Sequence, residues 1–322
     1  MSRIAVVHPT TLLGKELCEG LGRIAGSRSL DVRLYSASED EIGSVTEVGG
    51  MATIVGRYAA LELDGAAVAF FCGEIAQDRP LLADIPAGTQ AIVLGAGAGV
   101  EDGAVAVAGT GRSAAPTGAR VWISPHPAVV GLARLLTAVA PLGLREASAT
   151  VVQPASIRGQ AGIDELFEET RAILMFTGQP KPAVFGRQLA FNLLPSRDDA
   201  ERIEASLRAV FDGEAPEIRV QAIQGGMFHG TALGVDLRFD GHVTAREIAR
   251  ALAVDPGIES TKHAGHLGPI DGSGAEKIQV GEIRVGRGGD GSGQAWIWAV
   301  LDNLTVGGAL NALALAAPWL GP

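Results

Sequence analysis

Ile123-Ser124-Pro125-His126-Pro127-Ala128-Val129-Val130 reads as the end of a short strand, residues 121–124, running into an apolar helix over residues 129–140. A strand feeding a buried helix belongs to an α/β domain, and this junction separates two halves of different pattern. The first turn of such a helix suits chemistry, because the helix dipole and free N–H groups there turn a cysteine into a thiolate. In this chain the position holds Pro127, which carries no nucleophile.

Upstream of the junction, residues 3–7 form a short run rich in β-branched side chains. The polar break His8-Pro9-Thr10-Thr11 and an amphipathic helix over residues 13–25 follow. Residues 31–35, 66–72 and 90–94 read as further strands with helical or turn segments between them, an alternation that predicts a parallel, doubly wound sheet. Residues 96–118 are dominated by small residues and read as loops around one short strand.

Downstream, residues 148–153 read as a strand, 162–177 as a helix, 181–195 as an ordered crossover loop and 198–211 as a helix. Strands over 218–223, 229–239 and 278–287, with a helix over 244–253, make this half mixed α+β. The glycines of residues 288–293 supply the turn of a hairpin into Trp296-Ile297-Trp298, and the chain ends in an apolar helix.

The 322 residues are 47% hydrophobic and 19% charged, enough for two globular domains that each bury a core. A net charge of −10 argues against nucleic acid or an anionic membrane as partner. Cys18 and Cys72, both in apolar stretches, are too few for a disulfide framework or a cysteine-rich metal site, so no metal is expected. With no signal-like or membrane-spanning run, a cytoplasmic location is expected.

Three strings carry a family resemblance: residues 185–195 (FGRQLAFNLLP), 160–166 (QAGIDEL) and 302–312 (DNLTVGGALNA). In order along the chain, they resemble aspartate-semialdehyde dehydrogenase and especially its Usg-type relatives, proteins of amino-acid biosynthesis. The resemblance implies a Rossmann-like NAD(P)-binding domain over residues 1–126 plus 302–322. It further implies an α+β catalytic and dimerisation domain over 127–301, in a homodimer. The family makes an aldehyde from an acyl phosphate with NADPH, through a thioester on a helix-start cysteine.

Matched to the family, Pro127 stands where that cysteine belongs. Gln153 matches the glutamine that orients the covalent intermediate, and His229 matches the acid/base histidine. The substrate arginines fall near Glu101 and Gln221, with Arg219 a partial substitute. Asp199 and Arg202, three apart on a helix, resemble the family's Glu and Lys pair.

In the cofactor loop only Thr10 and Gly14 survive of the G-x-T-G-x-x-G turn. Ser38 is kept in the next loop, but Glu39, Asp40 and Glu41 stand around the position of the arginine that meets the NADP 2′-phosphate. Any retained site should therefore prefer NAD. Asn303 and Gly307 match positions lining the nicotinamide.

These coordinated losses on a kept scaffold point to a catalytically silent dimeric relative that acts by binding, with room for an unidentified protein partner. The alternatives are an NAD-linked oxidoreductase using His229 and Gln153 without a thioester, and a dinucleotide sensor.

Overall fold

The computed structural model describes residues 2–25, 30–111, 118–178, 180–212, 216–261, 264–289 and 292–321. The chain divides into two compact units, Met1–His126 with Gly307–Pro322, and Pro127–Val306.

Unit 1 contains β1 (Ser2–Val7), α1 (Leu12–Ala25), β2 (Leu30–Ser36), β3 (Val45–Val48), β4 (Met51–Arg57), β5 (Ala66–Phe71), α2 (Ile75–Leu82), β6 (Gln90–Val93), β7 (Ala104–Val105) and β8 (Val121–Ile123). A closing helix, Leu310–Ala316, completes it. The sheet order is β3-β4-β2-β1-β5-β6-β8-β7. β1 is parallel to β2 on one side and to β5 on the other.

Alternate β1 side chains enter different cores. Ile4 and Val6 pack with Leu17 and Leu21 of α1 and with Ala312 and Leu313 of the closing helix, whereas Ala5 and Val7 pack with Phe71 and Ile75. A strand covered on both faces must be apolar throughout, which is why residues 3–7 carry no strict polar alternation. The departure from an all-parallel sheet is the antiparallel β3–β4 hairpin at its edge, which turns on Gly49 and Gly50, both at positive φ.

Unit 2 contains α3 (Pro127–Val139), β9 (Leu144–Gln153), α4 (Gly159–Leu174), β10 (Leu193–Pro195), α5 (Arg197–Phe211), β11 (Glu217–Gly225) and β12 (Thr231–Phe239). It continues with α6 (Ala245–Leu252), β13 (Ile258–Ser260), α7 (Pro269–Gly272), β14 (Ile278–Arg287) and β15 (Gly293–Leu301). Its mixed sheet runs β10-β11-β9-β12-β15-β14-β13. Of the glycine-rich turn joining β14 to β15, Asp290 and Gly291 lie outside the described residues.

One face of this sheet carries Ala147, Ala149, Val151, Leu233, Val235, Ile297 and Ala299, all buried. α3 lies on that face, so close that a Cβ on Gly131 would stand 2.8 Å from Leu233. The other face presents Ser148, Thr150, Arg219, Gln221, Gly234, Asp236 and Trp296 around a shallow depression of about 300 Å³. At one end of this face, Leu267 packs on Ala232 and Val300 and accepts a 2.8 Å hydrogen bond from Trp298 Nε1.

The crossover loop is ordered because two α4 carboxylates gather its backbone. Glu165 accepts from the N–H groups of Ala183, Val184 and Phe185, and buried Glu169 accepts from those of Leu189 and Ala190. Only the last three residues of the stretch, those of β10, join the sheet. Among the described residues no helix is long and apolar enough to cross a membrane.

Candidate functional site

In unit 2, Pro127 is the first residue of α3, where a missing N–H costs no helical hydrogen bond. Gln153 ends β9 and is fully buried. Its register partner on β11 is Gln224, and the two exchange hydrogen bonds: Gln153 Nε2 donates to Gln224 Oε1 at 3.3 Å, and Gln224 Nε2 to the Gln153 carbonyl at 3.1 Å.

The hub of this network is Asp199, 4% exposed in the first turn of α5. One carboxylate oxygen accepts from Gln153 Nε2 at 2.5 Å, Arg158 Nη2 at 2.6 Å and Ser196 Oγ at 2.6 Å. The charge partner of Asp199 is therefore Arg158, from the turn after β9. Arg202, one turn further along α5, lies exposed. Arg219 does not join this network. It projects exposed from the other face of the sheet and pairs with Glu217.

His229, half-buried in the turn before β12, makes no side-chain hydrogen bond among the described residues. Its loop is pinned on both sides: the Ser156 N–H donates to the Phe228 carbonyl, and the Gly230 N–H to Asn303 Oδ1 at 3.0 Å. Asn303 Nδ2 in turn donates to Ser156 Oγ at 3.0 Å. Both ends of the Asn303 amide are thus engaged within unit 2, with the residue 1% exposed.

Truncating Asp199 to alanine would take from Gln153 Nε2 the shorter of its two hydrogen bonds and leave Arg158, about a third exposed, without its counter-charge. The expected loss is about 2–4 kcal/mol of unit 2 stability, discounted for solvent around Arg158. Urea unfolding checks it; an unchanged midpoint would remove Asp199 from the role of hub.

In unit 1, Thr10, Gly14, Ser38 and Gly307 were the positions expected to serve a cofactor. Thr11 Oγ1 donates to the carbonyls of His8 and Cys72 and accepts from the Gly14 N–H, locking the start of α1. The Ser38 N–H is spent on Ser36 Oγ. Gly307 is buried at the start of the closing segment. In that segment, Asn311 accepts from the Ala108 N–H and donates to Ser124 Oγ.

The sequence left unread a cluster at the carboxyl ends of β1, β2 and β5. His8 has φ +58°, unusual for a residue with a side chain, and is 3% exposed. Its Nδ1 lies 3.1 Å from Ser36 Oγ and 3.3 Å from Glu41 Oε2, while Nε2 lies 3.5 Å from Asp78 Oδ1. Asp78, on α2, is fully buried and its other oxygen accepts from the Gly73 N–H at 3.0 Å.

Burial pushes the Asp78 carboxyl up to about 7, with the Glu41 charge adding to the effect and the Gly73 hydrogen bond opposing it. For Glu41, burial also pushes upward, but hydrogen bonds from Ser36, Thr10 and His8 outweigh it and hold the carboxylate below its usual range. Glu41 and Ser36 face His8 Nδ1, whereas His8 Nε2 and Asp78 Oδ1, 3.5 Å apart, are both buried and make no hydrogen bond among the described residues. Neither cysteine is reactive: burial pushes Cys18 up to about 12 and Cys72 well above its ordinary value.

Comparison with known proteins follows the same lines. The family described as semialdehyde dehydrogenase, dimerisation domain, matches residues 132–306. A USG-1 protein homolog of Azotobacter vinelandii is 31% identical over 205 residues, 60% of each chain. An aspartate-semialdehyde dehydrogenase of Rickettsia bellii is 27% identical over 187 residues, 54% of each. The chain thus matches a little over half the length of these curated relatives. Among solved structures, a probable aspartate-semialdehyde dehydrogenase from Pseudomonas aeruginosa superposes with a TM-score of 0.85 at 24% identity, covering 98% of both chains. Aspartate semialdehyde dehydrogenase II of Vibrio cholerae, complexed with ASA, gives 0.84 at 21% identity, covering 99% of this chain and 98% of that one. At these identities the likeness is one of fold.

Proposed function

We propose, from the premise that this chain belongs to the semialdehyde dehydrogenase family, that it is a catalytically silent member which acts by binding, as a homodimer in the cytoplasm. The observation that carries the reading is Pro127 at the first position of α3, where the resemblance places the thioester-forming cysteine. Covalent acyl transfer needs an activated nucleophile, and proline offers neither thiol nor amine. The chain's two cysteines are both buried in unit 1, with thiols held well above neutrality, so neither supplies the missing thiolate.

The retained residues support the same reading. The Gln153 amide donates to Asp199 and Gln224, an internal structural role. His229 has no base or acid hydrogen-bonded to it among the described residues, so the rival reading as an NAD-linked oxidoreductase gains no support from its surroundings.

Homodimerisation is supported by the family's dimerisation domain and by the polar and aromatic sheet face of unit 2 around Thr150, Asp236 and Trp296. The purified chain, given aspartate semialdehyde, phosphate and either NADP or NAD, is expected to show no turnover above the protein-free rate. Cofactor reduction that scales with protein concentration would end this reading.

A further inference from the structure

We infer that unit 1 does not take a dinucleotide, because the cradle that would hold the pyrophosphate is closed from within by the side chain of His8. In doubly wound sheets a dinucleotide binds outside the carboxyl ends of the strands, where strand order reverses, with its pyrophosphate against the turn between the first strand and helix. β1 lies between β2 and β5, so this place is bounded by the loops carrying His8, Ser36 to Glu41, and Cys72 to Asp78. Those loops meet on the imidazole of His8.

The residues present do not fit the group. A pyrophosphate needs donors and open space, and the His8 N–H is bonded to the Tyr35 carbonyl, Pro9 has none, and the Gly14 N–H is bonded to Thr11 Oγ1. The space beside the turn is filled: a Cβ on Gly73 would stand 2.8 Å from His8 Cδ2 and 2.9 Å from Asp78 Oδ1. The charge is also wrong, because ionised Glu41 faces the same imidazole and would repel a phosphate. A side chain held at φ +58° persists only where its surroundings fix it, and here Ser36 and Glu41 hold the ring.

The inference is independent of Pro127. A chain that bound cofactor yet formed no thioester would fail the present test and leave the silence of unit 2 standing. The test is calorimetric titration of the full chain with NADPH and with NADH, beside the double variant His8→Gly/Glu41→Gln. Glycine adopts positive φ without strain, so the variant keeps the backbone while removing the ring and the negative charge.

The wild type is expected to show no saturable binding up to about 1 mM cofactor, and the variant to gain at least about tenfold in affinity. Saturable wild-type binding below about 1 mM overturns the inference whatever the variant does. A variant that is folded by circular dichroism yet gains nothing overturns the assignment of the closure to His8. Should the variant not fold, the wild-type titration decides alone.

Discussion

Gly234→Arg is expected to convert the proposed dimer of the full chain to monomer without unfolding it. Gly234 sits mid-strand on β12, opposite Thr150 of β9 and Trp298 of β15, at the centre of the sheet face that carries Ser148, Asp236 and Trp296. A Cβ there would meet its nearest neighbour, Trp298, at 3.8 Å, an ordinary contact. The arginine is therefore accommodated in the single chain. Across a dimer interface it would be a buried, unpaired guanidinium, which costs about 3–5 kcal/mol, or roughly two to four orders of magnitude in dissociation constant.

Sedimentation velocity at micromolar concentration reads this directly, with a thermal melt to show that the variant is folded. A variant that still sediments as a dimer would exclude this face as the interface. Cutting Arg284 back is expected to do less, since its guanidinium stacks over the Trp296 ring at 4.3 Å on an exposed part of the sheet and such contacts are worth about 0.5–1 kcal/mol.

The reach of sequence reasoning differs between elements for identifiable reasons. β1, β5 and β6 announce themselves because residues 4–7, 66–71 and 91–93 are covered on both faces and are apolar without a break. β9 was readable only from Ser148, because its first residues alternate buried Ala147 with exposed Arg145 and Glu146 at the margin of the sheet. The β3–β4 hairpin was missed, as its exposed strands carry Thr46, Glu47 and Thr53 among the β-branched residues. The Gly49-Gly50 pair between two such runs was the available signal. β13, three residues long, offers no period at all.

Sites divide along the same line. Pro127 could be placed because a helix start is a local feature. The partnership of Asp199 with Arg158 could not, because 41 residues separate them and only the parallel pairing of β9 with β11 brings their loops together. Arg202 looked the better partner by spacing, yet helical spacing alone does not say which face is buried. His8 was legible as a lost glycine. Its use as a bridge to Glu41 and Asp78 was not, since Asp78 lies in a helix without any motif and gains its meaning from burial.

That burial gives Asp78 an expected pH signature. Its carboxyl is raised from 3.8 to about 7, so below about pH 4 it is protonated in the folded and unfolded chain alike and contributes no pH dependence. Between those values the unfolded chain has lost the proton while the folded chain keeps it, so stability falls as pH rises, and above about pH 7 the full cost remains. From near pH 5 to near pH 8 this amounts to about 3 kcal/mol.

The groups facing Asp78 are His8, Glu41 and the Gly73 N–H, and its charge also bears on Cys72 and Tyr58. Glu41 and the exposed carboxylates Glu39 and Glu247 have depressed values. Their contributions are present above 4.5 and lost only as pH falls below it, outside this window. Asp78→Asn keeps an acceptor for the Gly73 N–H and mimics the protonated acid at every pH. It should resemble the wild type near pH 4 and exceed it by about 4 kcal/mol near pH 8, with about 3 kcal/mol of that gap opening above pH 5, as read from urea midpoints. Parallel stability curves for the two proteins would mean that Asp78 is ionised in the folded chain.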